Sequence, residues 1–149
     1  MALGMSTLAA WVALAHVLVA TGFDLRSREV PNTIPVLLLG WAIVVVAFRL
    51  DGNGWGSMLV GLSVGLLASG FFFALGGLGG GDVKLIAALG AVLGHPAIWP
   101  ALFWIALAGG GFSLIALIRG RRDLAYLPAI ALGLSIHLLW QLRTRYACP

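Results

Sequence analysis

The sequence predicts an all-α polytopic membrane protein with about six transmembrane helices, on three observations. Of its 149 residues, 61% are hydrophobic and only 9% are charged, where an average globular chain carries roughly 25% charged residues. A soluble domain of this size could not cover its surface with polar groups. Mean hydropathy is +1.05. The apolar residues also fall into runs divided by polar or glycine-rich punctuation, and six spans of about 20 residues would consume about 120 of them. What is left suffices for connections only, so residues 1–149 are expected to form one membrane-embedded domain with no soluble domain.

The first helix is expected from Met5 to Gly22. No Lys or Arg precedes Arg26, so this run lacks the basic start of a cleaved signal peptide, although Ala13-Leu14-Ala15 loosely resembles a cleavage site. It reads as a retained helix. The charged stretch from Asp24 to Asn32 follows as a loop. Asn32 and Thr33 are good N-cap types and Pro35 suits a first turn, which predicts a second helix running to about Leu50. Asp51-Gly52-Asn53-Gly54 has turn composition. A third helix is expected from Met58 to Leu75, with Ser57, Gly61, Gly65 and Ser69 at a spacing of four on one face. Such ladders let membrane helices approach closely, and packing is favoured over a dedicated dimer interface. The glycines of Gly76-Gly77-Leu78-Gly79-Gly80-Gly81 then oppose continuous helix.

The stretch from Leu85 to Ile118 is too long for one span and short for two full ones. Gly94-His95-Pro96 is the natural break, giving a short fourth helix of about 12 residues and a longer fifth. The loop from Arg119 to Asp123 leads to a sixth helix from Ala125 to Leu142, which Arg143-Thr144-Arg145 closes at the interface. Trp55, Tyr126, Trp140 and Tyr146 fall near expected interfaces as an aromatic belt.

In a soluble chain the net charge of +4 would suggest nucleic acid. Here arginines cluster at span ends and read as topology signals, so the expected surroundings are a lipid bilayer and no nucleic acid. If all six helices cross, Arg26, Arg28, Lys84, Arg119, Arg121 and Arg122 share one side against Arg49, Arg143 and Arg145 on the other. The positive-inside rule then puts both termini outside and Asp24 and Asp82 together on the cytoplasmic side, with Asp51 opposite.

The five acids are Asp24, Glu29, Asp51, Asp82 and Asp123. Singly, Asp82 could be a helix N-cap and Asp24 a loop carboxylate paired with Arg26 or Arg28. Acids at the hydrocarbon edge are nevertheless costly and point to function. Together, two aspartates on one membrane side are what an aspartic protease dyad requires. Carboxylates held close share a proton, one activating water while the other polarises the scissile carbonyl. Glycines before Asp82 would remove side-chain bulk, so that an extended substrate backbone can approach.

Gly79-Gly80-Gly81-Asp82-Val83-Lys84-Leu85 resembles the Gly-x-Gly-Asp motif of the type IV prepilin peptidases, including its lysine. Asp24 followed by basic residues and Pro31-Asn32 resembles that family's first motif, with Val30 where isoleucine is usual. The resemblance implies an aspartic endopeptidase of the bacterial inner membrane, active at the cytoplasmic face, that cuts the basic leader from prepilin or pseudopilin precursors. It implies Asp24 and Asp82 as the catalytic pair, with Gly79, Gly80, Gly81, Lys84, Pro31 and Asn32 shaping the site. Whether Lys84 tunes Asp82 or anchors its helix at the interface stays open. Larger members carry a cytosolic insertion with paired cysteines and methylate the new pilin N-terminus. This chain has neither, so it resembles the compact branch that processes tight-adherence, Flp-type pilins, and methylation is not expected. Archaeal preflagellin peptidases are a close variant with the same mechanism.

His16 and His137 lie inside apolar helices and are expected to satisfy buried hydrogen bonds rather than form a proton relay. With His95 they lack metal-ligand spacing, Cys148 is the lone cysteine, and no metal or other cofactor is expected. The glycine run lacks the Gly-Lys-Ser/Thr ending of a phosphate loop. Asp123 reads as a cap or an arginine partner. The sequence leaves a homo-oligomer open. The alternative from another class is a small secondary transporter using Asp24 and Asp82 for ion coupling, but those sites favour the bilayer midplane at a repeat interface, and no internal repeat is evident. A non-catalytic scaffold would leave the paired motifs without a reason.

Overall fold

The computed structural model describes residues 5–27, 31–50, 52–120 and 126–146. These form helices α1 (Met5–Ser27), α2 (Thr33–Ala47), α3 (Trp55–Ala74), α4 (Gly80–Leu93), α5 (Ile98–Ile118) and α6 (Leu127–Tyr146), with no strand among the described residues. Helix α4 is the centre of the bundle. It packs most extensively on α3, then on α2 and α1, while α5 pairs with α6 and α6 returns to α1. Every α4 residue from Leu85 to Leu93 is buried, as befits a helix that is apolar all round.

Several boundaries differ from the sequence expectation. Helix α1 does not stop at Gly22 but continues through Asp24 to Ser27. No proline interrupts it, and Arg26 in its last turn complements the negative end of the helix dipole. Asp24 therefore stands on a helix, not in a loop. Helix α4 begins at Gly80, so two glycines expected outside the helix form its first turn, where Asp82 offers the dipole a favourable acid. Helix α2 ends early at Ala47, and Arg49 takes a left-handed conformation with φ of 51°. Helix α6 carries on through the arginines to Tyr146. Arg28, Glu29, Val30, Asp51, Arg121, Arg122, Asp123 and Cys148 lie outside the described residues.

The small-residue ladder seats α3 on α4. Gly61, Gly65 and Ser69 are buried on that face. A side chain on Gly61 would collide with the Gly90 carbonyl oxygen, and a Cβ on Gly65 would come within 2.7 Å of the Ile86 carbonyl oxygen. Backbone therefore meets backbone. At the far end Ser57 pins the α4–α5 reversal, its hydroxyl donating to the His95 carbonyl at 2.9 Å and accepting from the His95 N–H at 2.9 Å. Gly61→Ala should accordingly cost about 1–3 kcal/mol through overpacking. Gly70→Ala, where nothing lies within 4 Å, should be neutral or better. Thermal melts in detergent check this, and equal melting temperatures for the two variants would contradict the contact.

Helices α3 and α5 are long and apolar enough to cross a membrane. Outward they expose large side chains such as Leu67, Phe71, Phe103, Leu117 and Ile118. That surface suits lipid tails rather than water.

Candidate active site

Asp24 on the last turn of α1 lies within range of the charge of Asp82, in the first turn of α4, at one end of the bundle. Asp82 is the third residue of α4, after a Gly79 cap, so it is not the N-cap itself. It precedes the apolar stretch Leu85–Leu93 and is only 8% exposed. Gly79 N–H donates to its Oδ2 at 3.4 Å, a long bond. The Asp82 carboxyl is buried, and the Gly79 N–H and the charge of Asp24 both act on it. Asp24 is half-buried with Oδ2 closed off from solvent. The two carboxyl groups thus sense one another and act as a coupled pair.

The glycines have separate parts. A Cβ on Gly79 would sit 3.2 Å from Asp82 Oδ2, crowding the carboxylate. Gly80 tolerates a Cβ, at 3.8 Å from the Phe73 ring, and Gly79 and Gly80 are both exposed. A peptide backbone can approach Asp82 from that side.

Lys84 does not reach for Asp82. Two residues further on, it lies about 200° round the helix, and its Nζ donates to Asn32 Oδ1 at 3.0 Å. Asn32 occupies the N-cap position of α2, as its residue type suggested, yet its side chain makes no capping hydrogen bond. Pro31 is half-buried, and its carbonyl accepts the Ile34 N–H at 3.1 Å at the start of α2.

A cavity of about 270 Å³, with no signal in the linear sequence, lies between α3, α4, α5 and α6. Ser69, Phe72, Leu78, Ile86, Ile105 and Tyr126 are among its walls. Ile86 follows Asp82 by one helical turn on the same face of α4, so the cavity lies at the same end of the bundle. Tyr126, expected at the membrane interface, faces this cavity and shares a hydrogen bond with Ser113 at 3.1 Å. Trp55 and Trp140 are exposed, as an aromatic belt requires. His16 shares a hydrogen bond with its own helix at Val12 O, 2.8 Å away. His137 departs from expectation: it is fully buried, and neither ring nitrogen has a hydrogen-bond partner among the described residues. Sequence position had suggested a satisfied core histidine, but no described group meets either nitrogen there.

A profile of the type IV leader peptidase family matches residues 11–114 of this chain. A prepilin leader peptidase/N-methyltransferase of Bacillus subtilis (strain 168) is 33% identical over 125 residues, covering 78% of this chain and 49% of that protein. One from Pectobacterium carotovorum subsp. carotovorum is 34% identical over 145 residues, covering 87% of this chain and 50% of the relative. One from Burkholderia pseudomallei (strain 1026b) is 31% identical over 145 residues, with 86% and 45% covered. The chain thus spans about half the length of the curated relatives it matches. No solved structure matches it.

Proposed function

The chain belongs to the type IV leader peptidase family, and we propose that it is a membrane aspartic endopeptidase that removes the leader of Flp-type prepilins at the cytoplasmic face. The observation that carries this reading is the buried Asp82 at the glycine turn that opens α4, within range of the Asp24 charge. The N-methyltransferase part of the relatives' names is not carried over, because the match spans about half of those proteins.

In this reading Asp82 holds the shared proton and donates it to the scissile carbonyl oxygen, while Asp24 takes a proton from the attacking water. The water oxygen bonds to the carbonyl carbon and gives a neutral gem-diol. Collapse breaks the C–N bond, a diol proton returns to Asp82, and the proton held by Asp24 passes to the departing nitrogen. Both carboxyl groups regain their starting states. The glycine turn admits the substrate backbone at Asp82. The apolar cavity beside it accepts hydrophobic side chains beyond the scissile bond rather than the basic leader.

The proposed orientation has all six helices crossing, both termini outside, and the α1–α2, α3–α4 and α5–α6 connections in the cytoplasm. Their basic residues support it, and so do the outward apolar faces of α3 and α5. At 14 residues, or about 21 Å, α4 is short for a bilayer, and it is shielded from lipid by its neighbours. Cysteines introduced at Arg26 and Gly80 in a Cys148→Ser background should both be labelled from the cytoplasmic side only. Labelling from opposite sides would defeat a shared site. The functional test is co-expression with a Flp-type prepilin, with leader removal read as a gel shift. A prepilin left uncut by the wild-type chain would overturn the reading.

A further inference from the structure

The Lys84–Asn32 hydrogen bond joins residues 52 apart in sequence, one from each aspartate-bearing segment. Both side chains are exposed. Taken alone, Lys84 would be a snorkelling lysine and Asn32 a helix cap. Neither description fits. Asn32 has helical dihedrals, φ −58° and ψ −16°, and no side-chain capping bond. An N-cap normally has extended dihedrals, so that its side-chain oxygen meets the N–H groups of the first turn. Here that oxygen is turned instead to the ammonium of α4. Lys84, for its part, is on the side of α4 away from Asp82, and no contact with the carboxyl is available to it.

Its leverage is through the chain. Asn32 stands directly before α2, and Asp24 is in the last turn of α1, across the α1–α2 connection. The apolar core grips α1 as far as Ala20, which is fully buried, whereas no described α1 side chain beyond it is fully buried, so the Asp24 turn is held by other contacts. A charged donor on a neutral acceptor is among the stronger hydrogen bonds a surface can offer.

We propose that Lys84 and Asn32 are positioning residues, a polar clamp that ties the start of α2 to α4 and thereby holds Asp24 in register with Asp82. This rests on the peptidase reading above. The clamp acts on the geometry of the two carboxyl groups and touches no substrate atom.

The test measures kcat and KM of purified enzyme on a Flp-type prepilin peptide in detergent for Lys84→Met, Asn32→Leu and the double variant. Each single variant should lose about ten- to a hundredfold in kcat, the loss expected from misplaced reacting groups. KM should change little, and the double variant should be no worse than either single one. Lys84→Arg and Asn32→Asp keep a donor and an acceptor and should restore most of the rate, which separates the clamp from misfolding. Wild-type kcat in both single variants would overturn the clamp, as would fully additive losses, or a loss confined to KM, which would make Lys84 a substrate contact. Failure of the conservative variants to restore activity would overturn it too. Should the wild-type enzyme itself leave the peptide uncut, the peptidase reading falls and the clamp with it; cutting by wild type with unimpaired variants sinks the clamp alone.

Discussion

Asp82→Asn is expected to abolish leader cleavage. The loss should reach about a thousandfold or more, since the proton donor to the carbonyl is gone. Turnover of a Flp-type prepilin peptide by purified enzyme in detergent checks this. An Asp82→Asn variant within about tenfold of the wild-type rate would remove Asp82 from the catalytic pair.

Asp24→Asn should be equally damaging to cleavage for a different reason, because it removes the group that takes the proton from water. Peptide cleavage by Asp24→Asn at the wild-type rate would exclude it as the base. Because the two act as a unit, the double variant should be little worse than either single one.

Much of this arrangement was legible in the sequence where one physical constraint acted alone. The small residues from Gly61 to Ser69 read as a packing face rather than a dimer interface, and they meet α4 backbone to backbone. Gly94-His95-Pro96 had to break the chain between α4 and α5, and it does. Legibility failed where tertiary context competed with local propensity. Nothing after Gly22 forbade helix, and α1 extends to carry Asp24 on its last turn. The glycines at 80 and 81 looked like loop residues but begin α4, where Asp82 meets the helix dipole and the Gly79 N–H. Asn32 carried the signal of a cap, and its partner 52 residues away could not be found by reading neighbours. The burial of His137 was foreseen, but its lack of a partner was not, because satisfaction depends on what the facing helix offers. The cavity, formed by four helices, had no linear signature.

The central claim is that Asp24 and Asp82 together cut the leader. It is tested most directly by co-expressing a Flp-type prepilin with wild type, Asp24→Asn and Asp82→Asn at matched membrane levels and following the size of the pilin on gels. The expected result is full conversion to the shorter form with wild type and none with either variant. Conversion by either variant at the wild-type extent would contradict the dyad.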